Sequence, residues 1–175
     1  KIIYLIDKTE PQNLNYEKNK TEKPDQMRPN AMKRIAKQRE YLLRGLEGAD
    51  KDDLILYSDN DEIPNPEKLN ENLLKKKITI FEQKLFYYKF NLLYDKIFWY
   101  GTRACKKKHL PDFETLRLIK AKKYPFYRVD TIFKKNKYMD VQIIKNGGWH
   151  FTRVISPEEI HQKELIAEHH DEYKL

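Results

Sequence analysis

A short apolar run that leads directly into a row of acids constrains this chain more than any other feature. Leu54 to Tyr57 is apolar throughout, and the next seven residues, Ser58 to Pro64, carry Asp59, Asp61 and Glu62. Such a run is typical of a buried strand, and polar side chains at the carboxyl end of a central parallel strand commonly form a site. The pattern therefore predicts a central parallel strand that ends in a functional turn.

The segments around this strand predict helices. Apolar side chains recur at helical spacing between Asn30 and Glu47, and Gly48 suits a helix stop. A second helix should run from about Pro66 to Leu74, with proline at its first position. A last helix should begin at the Ser156–Glu159 segment, which has the pattern of a capping box.

The remaining apolar segments predict strands. We expect strands in Lys1–Ile6, in Ile78–Leu93 (as one strand or a pair) and in Phe98–Cys105, and a hairpin-like pair formed by 142–145 and 149–154. This order predicts an α/β domain with a mixed sheet flanked by helices. A length of 175 residues suits a single domain, residues 1–175. Because the first strand would begin at residue 1, we expect that part of the domain is missing upstream of it.

Composition and charge narrow the class of protein. The chain is 39% hydrophobic, and no apolar run approaches the roughly 20 residues that cross a bilayer, so we expect a fold without a transmembrane segment. The formal charge of +8 would suit nucleic acid, but the lysines are scattered, with only short runs at Lys75–Lys77 and Lys106–Lys108. We expect these runs to be solvated surface charge and expect no nucleic-acid partner.

The acidic segment has the residue types of a cation site. Asp59 and Asp61 are separated by one residue, so in an extended turn both can present oxygens to one small hard cation. Mg²⁺ and Mn²⁺ favour such ligands and commonly complete their shell with phosphate. The alternative is that Asp59, Asp61 and Glu62 only cap a helix or decorate a loop.

Seven segments together resemble glycosyltransferase family 17, the β-1,4-mannosyl-glycoprotein 4-β-N-acetylglucosaminyltransferase family. The resemblance extends from about Asn30 to Tyr173 and rests on Gln38-Arg39, Gly45-Leu46, Asp52–Leu56, Ser58–Pro64, Trp99–Gly101, Leu116-Arg117 and Gly147–Phe151. It implies a GT-A-like fold, a UDP-sugar donor such as UDP-N-acetylglucosamine, a glycan acceptor, Mn²⁺ or Mg²⁺, and inversion at the anomeric carbon. Family members begin with an additional strand and helix, so the resemblance implies an N-terminally incomplete GT-A-like domain.

The resemblance also implies which residues form the site. The metal ligands would be Asp59, Asp61 and His150, and the catalytic residues Asp61, Glu62 and Glu114. Donor or acceptor would be bound by Arg39, Trp99, Gly101, Arg117, Gly147, Gly148 and Trp149. Each has a structural alternative: a hairpin turn for the glycines, core packing for the tryptophans, salt bridges for the arginines. The base that deprotonates the acceptor stays open between Glu114, Asp112, Asp140 and Glu158.

Two other functions stay open. A glycoside hydrolase would use paired carboxylates as acid and base, although Asp59 and Asp61 are too close in sequence to flank a sugar without a distant partner. A basic nucleic-acid-binding module is the other.

The single cysteine, Cys105, can form no internal disulfide. We expect a cytoplasmic location or one peripheral to the cytoplasmic face of a membrane, or the Golgi lumen for a eukaryotic fragment.

Overall fold

A computed structural model of the chain describes residues 2–16, 24–70, 73–122, 127, 137 and 141–166. The helices are α1 Pro24–Tyr41, α2 Phe113–Leu118 and α3 Pro157–Ile166. The strands are β1 Leu54–Tyr57, β2 Glu62–Pro64, β3 Ile78–Tyr87, β4 Leu93–Lys106, β5 Val141–Ile144 and β6 Gly148–Thr152. Single 3₁₀ turns lie at Leu42–Leu46, Pro66–Lys68 and Lys107–His109.

These elements fall into two units, one of residues 48–154 and the other of 1–47 and 155–175. The 48–154 unit contains all six strands, in one curled mixed sheet with the order β1-β4-β3-β6-β2. β1 and β3 are antiparallel to β4, β2 is antiparallel to β6, and β5 and β6 are both parallel to β3. The predicted α/β class with a mixed sheet is therefore confirmed.

β3 is the central strand and supplies much of the core. It pairs with β4 on one edge and with β5 and β6 on the other. Ile78, Ile80 and Phe81 are fully buried and Leu85 is nearly so. Because β-branched and aromatic side chains fill a strand that is covered on both sides, this segment forms the hydrophobic interior of the unit.

The strand at 54–57 is confirmed, but its predicted place in the sheet is wrong. β1 lies at one end of the strand order and pairs antiparallel with the last four residues of β4. Ile55 and Tyr57 are buried while Leu54 and Leu56 are exposed, which is the pattern of a strand covered on one face. A run of four apolar residues is too short to distinguish this case from a buried central strand.

The predicted hairpin at 142–154 is also wrong. β5 pairs with Ile78–Phe81 of β3 and β6 pairs with Lys84–Tyr87, both in the parallel direction. Between them, the Gly147 N–H donates to the Glu82 carbonyl at 2.7 Å, so the ladder along β3 continues through the turn. Gly147 and Gly148 therefore do not reverse the chain. They separate β5 from β6, which follow each other in the same direction along β3.

The first two predicted helices differ from the structure in extent. α1 begins at Pro24, six residues before the predicted start, and gives way to a 3₁₀ turn after Tyr41. Pro29 lies inside α1, a position that costs a backbone hydrogen bond. Pro66 opens only the three-residue 3₁₀ turn, which Asn65 caps; of the predicted remainder to Leu74, residues 71–72 lie outside the described residues.

The last helix begins as predicted. The Glu159 N–H donates to Ser156 Oγ at 3.2 Å, and the Ser156 N–H donates to the Glu159 carboxylate at 2.9 Å. The Ser156 N–H, and then the Ser156 hydroxyl, lower the pKa of the Glu159 carboxyl by hydrogen bonding to it. This reciprocal pair satisfies two amide groups that the start of a helix leaves without intrahelical partners, and α3 follows from Pro157.

The predicted first strand is not formed. Residues 2–6 have no ladder partner among the described residues, and Ile2 and Tyr4 are more than four-fifths exposed. An apolar, β-branched run becomes a strand only where a neighbouring strand accepts its backbone hydrogen bonds.

Within the described residues, no helix is long and apolar enough to span a membrane.

Cys105 provides a test of the packing around β4. Its side chain is fully buried, and burial raises the pKa of the thiol to about 11. Since the thiolate is the reactive form, native protein should be nearly inert to iodoacetamide at about pH 8. Protein unfolded in guanidinium should take up one label per chain, as measured by mass spectrometry. Rapid labelling of the native protein would show that the end of β4 is open.

Candidate active site

The acidic residues lie in the turn that joins β1 to β2. The Glu62 N–H donates to the Asp59 carbonyl at 3.1 Å and closes the turn. The Phe151 N–H donates to the Asp61 carbonyl at 2.9 Å and ties the turn to β6. The backbone of the turn is therefore anchored on both sides, and its side chains start from defined positions.

Glu62 is the buried member of the acidic turn. Its side chain has no exposed surface, and Trp99 Nε1 donates to Oε1 at 2.7 Å. The Asp59 N–H donates to the other carboxylate oxygen at 3.3 Å. A buried carboxylate is tolerated only when its oxygens are hydrogen-bonded and its charge is paired, so Glu62 needs a cation nearby.

Arg117 supplies that cation. It projects from α2, whose first turn Asp112 caps by accepting from the Thr115 N–H at 2.6 Å. Arg117 Nη2 lies 2.7 Å from Glu62 Oε1 and 2.9 Å from Asp59 Oδ2, and Nη1 donates to the Gly101 carbonyl at 3.1 Å. One guanidinium therefore joins the acidic turn, β4 and α2.

Asp59 is held from two sides. Its Oδ2 faces Arg117, and the Tyr57 hydroxyl donates to Oδ1 at 2.7 Å. The Asp59 side chain nevertheless keeps 32% of its surface exposed. It is an oriented carboxylate that solvent or a ligand can still reach.

A second arginine, Arg103, interacts with the same charged residues. Arg103 is buried in β4 and donates to the carbonyls of Tyr100, Gly101 and Ile119. Burial, and then repulsion by Arg117, lowers its pKa to about 10, which leaves it protonated at neutral pH. Two arginines and two carboxylates, Asp59 and Glu62, thus form a charge-balanced cluster.

Asp61 and His150 form the open side of the site. His150 Nε2 lies 3.2 Å from Asp61 Oδ2, and the imidazole stacks on Trp99 with ring centroids 4.5 Å apart. The Asp61 side chain is 37% exposed, while that of His150 is 8% exposed. The buried Nδ1 of His150 has no hydrogen-bond partner among the described residues. The site therefore presents one exposed acid next to a buried imidazole.

Gly101 makes this arrangement sterically possible. A Cβ atom at this position would lie 2.6 to 2.7 Å from Glu62 carboxylate atoms and closer still to Gln83 Oε1. β4 also advances three residues, from Tyr100 to Arg103, while β3 advances two, which is a β-bulge at this point. The bulge and the missing side chain let the Glu62 carboxylate approach the β4 backbone.

The structure brings together seven of the predicted site residues. They are Asp59, Asp61, Glu62, Trp99, Gly101, Arg117 and His150. Residues that the sequence analysis missed complete the cluster: Tyr57, Arg103, Gln83 and Thr102, of which Gln83 and Thr102 hydrogen-bond each other beside Gly101. Gly101, Thr102, Ala104 and Cys105 flank Arg103 in the sequence. Small residues such as glycine, alanine and cysteine are often fully buried, so they were a signal that this arginine is buried too.

The remaining predicted site residues are Trp149, Gly147, Gly148, Glu114 and Arg39. Trp149 neighbours His150 in β6, so its side chain points to the opposite face. Gly147 and Gly148 leave no room for a Cβ atom against Ile144 and Ile63, which accounts for them without a ligand. Glu114 is half-buried, one turn before Arg117 on α2. Arg39 lies on α1 in the other unit. Their binding and catalytic roles stay predictions.

The residues at the turn suit a cation only in combination with a ligand. Within the described residues, no three His, Cys, Asp or Glu side chains are grouped to hold a metal ion. Mg²⁺ commonly binds through one or two carboxylates together with substrate phosphates, so a closed cage is not required. Asp61 and Asp59 offer two accessible carboxylates on one turn, which fits that mode of binding.

Comparisons with known proteins add no assignment. No family model, no curated protein and no solved structure matches this chain.

Gly101→Ala tests the close approach of Glu62. The new methyl group would collide with the Glu62 carboxylate and Gln83, and we expect a loss of about 1–3 kcal/mol in the free energy of unfolding. Gly45→Ala is the control, because its Cβ would meet only the end of the Leu5 side chain, at 3.3 Å. Urea denaturation measures both. Equal stability of the two variants would show that the pocket around Glu62 is loose.

Arg117→Leu tests the ion cluster. It removes the cation from a fully buried carboxylate, and we expect a loss of about 3–5 kcal/mol. Arg34→Leu, which breaks the exposed pair with Glu10, should cost at most about 1 kcal/mol. Adding Glu62→Gln to Arg117→Leu should restore part of the loss, because the unpaired charge is removed. A double variant no more stable than Arg117→Leu would contradict the pairing.

Proposed function

We propose that this protein is an inverting, metal-dependent glycosyltransferase. It would transfer a sugar, N-acetylglucosamine from UDP-N-acetylglucosamine, to a glycan acceptor in β linkage. The observation that carries the proposal is the division of the acidic turn: Glu62 and Asp59 are fixed by Arg117, while Asp61 faces outward beside His150. The resemblance of the surrounding segments to glycosyltransferase family 17 supports it.

Asp61 and Asp59 would hold Mn²⁺ or Mg²⁺ together with the diphosphate of the donor. A cation bound there would supply Lewis-acid stabilisation of the negative charge on the departing nucleoside diphosphate. Asp61 is the better exposed ligand, and Asp59 is already oriented by Tyr57 and Arg117. Oriented carboxylates reduce the reorganisation that accompanies transfer.

Glu62, Arg117 and Trp99 would position the turn and not touch the reacting atoms. The Glu62 side chain has no exposed surface, and both of its oxygens already accept hydrogen bonds. A group in this environment is poorly suited to exchange protons with a substrate. Its proposed role is to fix the spacing of Asp59 and Asp61.

The base for the acceptor hydroxyl remains among the predicted carboxylates. Asp112 is engaged as the cap of α2, Glu114 lies on the same helix as Arg117, and Glu158 lies on α3. Asp140 lies outside the described residues. We propose Glu114 as the first candidate, and a cytoplasmic or membrane-peripheral location for the reaction.

Donor binding provides the direct test. Calorimetric titration of full-length protein with UDP-N-acetylglucosamine should show binding with Mn²⁺ and little with EDTA. Asp61→Asn should weaken binding at least about tenfold, since even changes in residues around metal ligands cost about 10–100-fold. Asp95→Asn, an exposed aspartate of β4, is the matched control and should bind as wild type.

The controls separate loss of function from loss of fold. Circular dichroism should show equal folding of the wild type and both aspartate variants. If folded wild-type protein binds no UDP-sugar with Mn²⁺ present, the proposal is wrong. Metal-independent cleavage of a glycan by the same preparation would indicate a glycoside hydrolase instead.

A further inference from the structure

Two lysine runs that are distant in sequence meet at one end of the sheet. Lys75–Lys77 immediately precede β3, and Lys106–Lys108 lie at and after the end of β4. Because β3 and β4 are antiparallel, the start of one strand lies beside the end of the other, with Ile78 opposite Cys105. The topology therefore concentrates charges that the linear sequence spreads over more than 30 positions.

Five of these six lysines line a cavity of about 260 Å³. Its lining consists of Leu74, Lys75, Lys76, Lys77, Lys106, Lys108 and His109. Five lysines and a histidine thus face one small space, and no acidic side chain among the described residues lines it. Asp52 pairs with two of these lysines, and an anion in the cavity would add a further counter-charge.

The backbone at the cavity is fixed in place. The Lys75 N–H donates to Gln142 Oε1 at 3.0 Å, and the Lys108 N–H donates to the Lys51 carbonyl at 2.8 Å. Asp52 lies 3.1 Å from Lys106 Nζ and 2.7 Å from Lys108 Nζ. Hydrogen bonds from Lys108 and then Lys106 lower the pKa of Asp52, as expected beside concentrated positive charge. The backbone that carries these lysines is therefore held in place.

We propose that this cavity, the lysine cavity, binds a compact anion that carries two or more phosphate groups. Its volume is below the about 300–1,000 Å³ of clefts for drug-sized ligands, which favours a small, highly charged ligand. Lysine binds phosphate as a point charge, and several lysines converging on one space suit a ligand with several charges. A flat bilayer or a long duplex would leave this concave surface only partly filled.

The lysine cavity is separate from the acidic turn. In β1, Leu54 pairs with Lys106 at the cavity end, whereas Tyr57 pairs with Arg103 at the end that leads into the acidic turn. Three residues of strand separate the two ends, which is about 10 Å. The inference therefore does not depend on the proposed transferase activity.

Titration with inorganic pyrophosphate in EDTA tests the proposal without involving a metal at the acidic turn. The cavity variant is Lys75→Gln/Lys76→Gln/Lys77→Gln. The control variant, Lys84→Gln/Lys89→Gln/Lys96→Gln, removes the same charge from exposed positions of the same unit. Wild type and control should bind pyrophosphate, and the cavity variant should bind at least about tenfold more weakly. Equal thermal unfolding of the three proteins establishes that folding is unchanged.

Further arms identify the source of the phosphate groups. Sedimentation with phosphatidylcholine vesicles that contain phosphatidylglycerol tests a lipid headgroup, and a mixed-sequence DNA duplex tests nucleic acid. Pyrophosphate binding that only the cavity variant loses supports the proposal, and vesicle binding without pyrophosphate binding overturns it in favour of a membrane surface. Absence of both, or an equal loss in both variants, overturns it in favour of a general positive field. Cavity-dependent binding of duplex without pyrophosphate binding also overturns it, in favour of nucleic acid.

Discussion

The burial of Arg117 between Glu62 and Asp59 is the interaction on which the site depends. A fully buried carboxylate is unfavourable unless a cation and hydrogen-bond donors surround it. Arg117 and the Trp99 indole meet that need from α2 and β4, while Glu62 comes from β2. The three elements must therefore close around one charge, and Gly101 leaves the space for it. Stability and site geometry rest on the same few contacts.

This cluster gives neighbouring acids of one turn different environments. Glu62 is locked inside, Asp59 is oriented but reachable, and Asp61 is the most exposed of the three. A turn held by buried charges cannot easily relax, so its outer carboxylates keep their spacing when a charged ligand approaches. Preorganisation of this kind is what an electrostatic site requires, because no energy is then spent on reorientation.

Features that depend on near neighbours could be predicted from the sequence. The capping box at Ser156 and the strand at 54–57 are set by residues within a few positions, and both are present. The mixed α/β class followed from the order of such segments. The position of β1 and the direction of β6 could not be predicted, because each depends on which distant strand supplies the pairing edge. The glycines at 147 and 148 fit either a reversal or an offset, and only β3 decides between them.

Contacts between charged residues that are distant in the sequence likewise could not be predicted. The resemblance to a family pointed to Trp99 and Arg117, but no sequence spacing reveals that both contact Glu62, more than 35 and more than 50 positions away respectively. Likewise, Lys75–Lys77 and Lys106–Lys108 are unremarkable runs until the antiparallel pairing of β3 and β4 places them around one cavity. A formal charge of +8 describes the whole chain, whereas binding depends on where the fold concentrates that charge. In this protein β1 connects the end of the sheet that carries the lysine cavity to the acidic turn, so lysines and carboxylates are concentrated at opposite ends of one four-residue strand.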